Sequence, residues 1–429
     1  MKDVTTLPED GLQIIFYGAP GTGKSDTIER KVQNKVHTRI TFHPDSDYAS
    51  FVGAYKPTMA SSGANQCLSK PIEDLAERLS VYYNNPQLGK IGGIQKFCLD
   101  YFSYVDKEIV SKLVKLAGIS DNYVVEIKKY LDFRKMLLKQ EGNKIIYRFT
   151  PQAFLKAYCA AWKQMPEPYF LVIEEINRGN CAQIFGDLFQ LLDRNNEGYS
   201  KYGIAADEDI RKFLSSDTEI GFGDLTNEQK LFFPKDSIWK GKELMLPPNL
   251  HIWATMNTSD QSLFPIDSAF KRRWEWKFIK IANGYKKDKV GNYIKDEESK
   301  KRPLNWKIEA NGQDWWEFIR QINKIISNIT SSADKQLGYF FCKANEKGEI
   351  TTETFVSKVL FYLWNDVFKD YGFEEASLFK FKKSEEDKEY EDLTFPDFYD
   401  EDGDIVLDVV KQFIKHVMEW KADDKKMND

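Results

Sequence analysis

Through roughly the first two thirds of the chain, short unbroken apolar runs are separated by longer mixed stretches. Residues 12–17 (Leu-Gln-Ile-Ile-Phe-Tyr) stop at a glycine and predict a buried strand, and the polar stretch from Ser25 to Gln33 predicts the helix after it. Further strands are predicted at about Val36–Phe42, Tyr169–Ile173 and Leu250–Thr255. Ala182, Phe185, Leu188, Phe189 and Leu192 recur at helical spacing. Residues 62–142 are helical in pattern, with a Gly-rich break at Gly89–Gly93, and read as an insertion; the polar residues 194–247 read as a second one. After about residue 280 the pattern turns helical: Ile319, Ile322, Ile326 and Ile329 mark one helix, Phe355, Val359, Leu363 and Val367 another, and Val406, Val410, Phe413 and Val417 a third. The acidic residues 384–404 read as a solvated loop. Strands alternating with helices, then a helical tail, predict an α/β fold: a parallel sheet flanked by helices in residues 1–280, with a mainly α-helical lid in 281–429.

Composition narrows the function classes. The net charge of −5 over 429 residues argues against a broadly basic nucleic-acid binder. Cys67, Cys98, Cys159, Cys181 and Cys342 are scattered, form no metal-site spacing with the histidines, and fit reduced thiols. The N-terminus lacks the apolar stretch of a signal peptide, and no run approaches the roughly 20 apolar residues of a membrane span. The expectation is a soluble, cytoplasmic protein with no membrane partner.

Chemistry concentrates at the ends of the predicted strands. Gly18-Ala19-Pro20-Gly21-Thr22-Gly23-Lys24-Ser25 is a G-x-x-x-x-G-K-S loop between a strand and a helix, with Asp26 next on that helix. Its glycines let several backbone N–H groups converge on a phosphate, and the following helix dipole favours an anion. Lys24 would reach the β- and γ-phosphates, and the Ser25 hydroxyl would ligate Mg²⁺. Glu174 and Glu175 end an apolar strand; the first would hold Mg²⁺ through water and the second would orient the attacking water. Asn257, at the tip of a strand expected between those two, can touch both γ-phosphate and water. Arg178, Arg272 and Arg273 follow strand ends and are candidates for neutralising transition-state charge, in place of ordinary surface ion pairs. The basic run Lys277–Arg302 could touch DNA phosphates, but its interspersed Asp and Glu fit a solvated loop better.

Together these motifs resemble an AAA+ module, and the finer matches resemble the McrB family, the GTP-driven motor subunits of modification-dependent restriction systems. Glu174-Glu175-Ile176-Asn177-Arg178-Gly179-Asn180 with Ile184-Phe185-Gly186-Asp187-Leu188 is similar to that family's extended acidic motif. Met256-Asn257-Thr258-Ser259-Asp260 resembles its Met-Asn-x-x-Asp-Arg signature. Thr41-Phe42-His43-Pro44 through Gly53-Ala54-Tyr55-Lys56-Pro57 resembles the segment after its second strand, and Asp334-Lys335-Gln336-Leu337-Gly338-Tyr339-Phe340-Phe341 its lid motif near the base. The resemblance implies GTP, with ATP as the alternative, and Mg²⁺. It implies a homo-oligomeric ring, a hexamer in the family, in which Arg178 acts on a neighbour's nucleotide. It also implies a McrC-like, nuclease-bearing partner, with DNA engaged directly or through that partner. Three departures matter. Gln261 replaces the signature's arginine, Glu174 stands where Asp is also common, and the phosphate loop starts at residue 18, which leaves no room before it for a DNA-reading domain. A MoxR-type chaperone shares the loop, acidic strand and paired arginines but does not account for the long acidic motif. A scaffold that only binds nucleotide does not account for Lys24, Glu175 and Asn257 together.

Overall fold

The computed structural model describes residues 11–59, 72–101, 107–120, 122–125, 127–129, 145–216, 220–259, 264–288, 292–295, 298–369, 378–384 and 390–420. The chain divides into two compact units, one formed by Met1–Val52 with Pro151–Asp429 and the other by Gly53–Thr150.

In the first unit, strand β1 (Gln13–Gly18) runs through the phosphate loop into helix α1 (Lys24–Val32), and β2 (His37–Thr41) and the short helix α2 (Tyr48–Phe51) follow. The chain leaves for the second unit along β3 (Gly53–Met59), passes helices α3 (Ile72–Tyr83), α4 (Gly89–Tyr101) and α5 (Lys107–Leu116), and ends that unit on β4 (Ile145–Pro151), which pairs with β3. Leu75, Leu79, Ile94, Phe97, Leu113 and Val114 form the second unit's own core. The glycines at 89–93 do not interrupt a helix, as their composition predicted; they open α4 and continue inside it. Cys67 and Gln261, like Asp260, lie outside the described residues.

Back in the first unit come β5 (Tyr169–Glu174), the paired two-residue strands β6 (Ile204–Ala205) and β7 (Glu243–Leu244), then β8 (Leu250–Asn257) and β9 (Glu275–Phe278). Among the described residues the main sheet has five strands in the order β2-β5-β8-β1-β9, every neighbouring pair parallel. The three inner strands are almost wholly buried, which explains their unbroken apolar runs, while the edge strands β2 and β9 are polar and partly exposed. On one face Ile14, Phe16, Phe170, Val172 and Trp253 pack with Ile28 and Val32 of α1. The buried helix Ala153–Lys163 packs against β2, β5 and β8.

Residues 182–192 do not form the single helix their spacing predicted. Helix Cys181–Phe185 stops at Gly186, whose φ of 51° breaks the α-helical turn, and a 3-10 stretch Gly186–Leu192 continues. Residues 194–247 belong to the first unit. They are tied to the sheet by Arg194, whose guanidinium donates to Gln13 Oε1 (2.7 Å), the Gly198 and Pro247 carbonyls (2.9 and 3.0 Å) and the Leu250 carbonyl (3.0 Å). Burial lowers the Arg194 pKa to about 9, and these neutral acceptors still carry the charge at neutral pH.

Residues 281–420 contain helices Trp315–Thr330 and Leu407–Glu419 around a core of Ile319, Ile322, Leu360, Leu363, Val410 and Phe413. Between the helices, the described acidic residues Glu391, Asp392, Asp400, Glu401, Asp402 and Asp404 are exposed, while Leu393 and Phe398 anchor the segment in the core and Glu391–Asp392 pairs with Lys380–Phe381. No helix among the described residues is long and apolar enough to cross a membrane.

Candidate phosphate-binding site

The parallel register brings the candidate residues to one edge of the sheet. Gly18 stands opposite Asn257, and Thr41 opposite Glu174, so β1, β8, β5 and β2 deliver their C-terminal ends side by side. Such a row of strand ends is where open α/β sheets bind ligands.

Gly21 and Gly23 take φ values of 75° and 83°, the left-handed conformations that the loop needs and that side chains resist. The N-cap of α1 is Gly23, which makes no side-chain cap, and the N–H groups of a helix's first turn are the donors that favour an anion. The Lys24 ammonium is buried inside the curl, donating to the Gly18 and Ala19 carbonyls at 3.0 and 2.9 Å. Asp26 points to basic partners instead: its carboxylate meets Arg30 at 3.1 Å and Lys287 at 2.5 Å.

Ser25 Oγ donates to Glu174 Oε2 at 2.8 Å, and Thr255 Oγ1, one strand away, donates to the same oxygen at 2.5 Å. The other oxygen, Oε1, pairs with Arg39 of β2. A hydroxyl and a carboxylate oxygen converging at the loop form the hard oxygen set that Mg²⁺ prefers. Glu175 turns the chain sharply, with φ 56° and ψ 50°, a strained conformation for a residue with a side chain. Its N–H donates to Thr255 Oγ1 (3.1 Å) and its Oε1 accepts from Asn257 Nδ2 (2.6 Å). Asn177 donates from Nδ2 to the Asn257 carbonyl at 2.9 Å and fixes the strand tip from the other side.

The arginines separate. Arg178 Nε lies 3.7 Å from Glu175 Oε2 of its own chain. The Arg273 side chain is 8% exposed, pairs with Asp193 at 2.7 Å and covers the Phe189 ring at 3.8 Å from its centroid. Arg272 is exposed and makes no side-chain hydrogen bond or ion pair among the described residues. Nearby, Cys181 is a closed thiol: it donates to the Ile176 carbonyl, and burial, with Asp267 adding, pushes its pKa up to about 12.

The loop is also held from the C-terminal segment. Asn323 clasps the backbone of Leu337 in both directions (2.7 and 2.8 Å), and Trp315 Nε1 donates to the Tyr339 carbonyl at 2.8 Å. Thus fixed, Gly338 N–H donates to the Pro20 carbonyl (2.8 Å) and Phe340 N–H to the Gly21 carbonyl (2.9 Å). These bonds occupy loop carbonyls, not the N–H groups an anion would need.

Lys24, Ser25, Glu174, Glu175 and Asn257 therefore lie together at the C-terminal ends of the strands. Thr255 and Arg39 belong to the same cluster but carry no local motif. Only the register of β8 and β2 against β5 reveals them.

A central parallel sheet flanked by helices, with a phosphate-type loop on an inner strand and carboxylates on the strand end beyond β8, defines an α/β protein compatible with a P-loop core. No family model matches the chain. It is 32% identical over 361 residues to the Type II restriction enzyme BsuMI component YdiS of Bacillus subtilis (strain 168), covering 83% of this chain and 79% of that protein. It is 22% identical over 312 residues to the Type IV methyl-directed restriction enzyme EcoKMcrB subunit of Escherichia coli (strain K12), covering 71% of this chain and 57% of that one. The chain belongs to the McrB-like restriction-system proteins.

Proposed function

We propose that this chain is the Mg²⁺-dependent, nucleoside-triphosphate-hydrolysing motor subunit of a multi-component restriction system, with GTP preferred over ATP. The observation that carries the reading is the convergence of Lys24, Ser25, Glu174, Glu175 and Asn257 on one sheet edge. That one relative is a subunit of a methyl-directed restriction enzyme supports the biological setting.

The loop amides and Lys24 bind the phosphates. Lys24 exchanges its two carbonyl partners for the β- and γ-phosphate oxygens. Ser25 and Glu174 would hold Mg²⁺, which would supply charge neutralisation at those phosphate oxygens. Glu175 orients the attacking water and accepts its proton, while Asn257 holds the Glu175 carboxylate in register and reaches toward the γ-phosphate. The unit assembles as an AAA+-type ring, a hexamer, and Arg178 or Arg272 completes the site of a neighbour. The chain drives a McrC-like partner that carries the nuclease, and contacts DNA directly or through that partner.

Hydrolysis of GTP and ATP measured side by side tests the chemistry. GTP turnover should exceed ATP turnover, and equal rates would sink the base preference. Glu175→Gln should keep nucleotide affinity within about threefold and lose turnover by about 10²–10³. Persistent turnover in that variant would remove Glu175 from the water-positioning role.

A further inference from the structure

Arg39 sits on the edge strand β2, two residues before the register position that faces Glu174. Its guanidinium is shared between two carboxylates. One nitrogen, Nη1, meets Glu174 Oε1, and the other, Nη2, meets Glu29 Oε2 at 2.5 Å. Glu29 lies on α1 one helical turn beyond Ser25, so the guanidinium lies between that helix and the acidic strand end. Both oxygens of Glu174 are thereby engaged: Oε2 takes the Ser25 and Thr255 hydroxyls, and Oε1 takes Arg39. The carboxylate is 14% exposed and the arginine 29%, so solvent screens this pair less than a surface one. A lysine could supply the charge but not the planar fork that engages two carboxylates at once.

We infer that Arg39 is a resident counter-charge and positioning residue for the metal-site carboxylate. It fixes the orientation of Glu174 toward Ser25 and opposes a divalent cation there. Mg²⁺ then binds firmly only when nucleotide phosphates add their own negative charge, so the cation arrives with the nucleotide and not ahead of it. This rests on the reading that Ser25 and Glu174 hold Mg²⁺, and it adds a residue that sets how much Mg²⁺ the site needs.

The test titrates Mg²⁺ into the full chain at fixed concentration of a fluorescent GTP analogue and reads anisotropy, with an EDTA arm for metal-free affinity. Removing the like charge in Arg39→Gln should move the Mg²⁺ midpoint to lower concentration by at least about threefold, while affinity in EDTA changes little. Arg39→Lys should restore most of the wild-type midpoint. Should Arg39→Gln not fold, Arg39→Met, which keeps the aliphatic stem, carries the same expectation. A folded, uncharged variant with an unchanged or raised midpoint would overturn the inference and leave Arg39 as an ordinary ion pair between α1 and the sheet. Wild-type binding that ignores Mg²⁺ would instead overturn the metal-site reading itself, and the wild-type arm alone reports that.

Discussion

Arg273 folds back on its own subunit, donating to the Ala269 carbonyl at 2.7 Å as well as to Asp193, with its guanidinium on the Phe189 ring. Arg272, one residue earlier, is exposed. Adjacent arginines with such different surroundings should fail differently. Arg273→Ala leaves Asp193 without its partner and uncovers an aromatic face, and should lower unfolding free energy by about 2–4 kcal/mol, read by denaturant titration. Arg272→Ala should leave that midpoint unmoved and reduce turnover by about 10³, the scale of a transition-state arginine. Equal stability losses in the two variants would refute the division. The sequence made the two look alike because both follow the same strand-end motif; what separates them is Asp193, 80 positions away. By contrast, Lys24, Ser25, Glu174 and Glu175 were legible because the loop and the acidic strand each announce themselves within a few residues. Arg39 and Thr255 were not, since each lies one strand away from Glu174, on opposite sides, and a side chain on a neighbouring strand joins a site only through register.

Among the elements, the inner strands were readable from hydrophobicity alone because parallel strands buried on both faces need unbroken apolar runs. Strand β9 escaped the same reading: Glu-Trp-Lys-Phe is short, charged and lies on the sheet edge. The contact between the C-terminal segment and the phosphate loop depends on Gly338 having no side chain. A Cβ there would lie 2.3 Å from the Gly21 carbonyl carbon and 2.5 Å from the Thr22 nitrogen, and backbone cannot step aside as a flexible side chain would. Gly338→Ala should therefore displace the loop or the segment that Asn323 and Trp315 hold in place. The expected result is a loss of about tenfold or more in nucleotide affinity, since a phosphate cradle tolerates little misplacement of its amides. Calorimetric titration measures it, and wild-type affinity in a folded Gly338→Ala protein would show that the contact does not shape the site.

At the scale of the whole molecule, none of the three candidate arginines, all among the described residues, is seen reaching toward the proposed γ-phosphate position of its own chain. Arg178 lies against its own Glu175, Arg273 is committed internally, and Arg272 points to solvent. If a neighbouring subunit supplies that charge in the proposed ring, the two halves of a site can be broken in different chains and recovered by mixing. Glu175→Gln lacks the water-positioning carboxylate but keeps Arg272, whereas Arg272→Ala keeps the carboxylate and lacks the arginine. Each should be inactive alone. An equimolar mixture should regain turnover at up to about one quarter of its sites, those where an intact Glu175 meets an intact Arg272 across an interface. Arginine acting within its own chain would leave the mixture as inactive as its components, because no subunit then holds both residues. Recovery that grows with protein concentration would further tie activity to association, as expected when a site is shared between two copies.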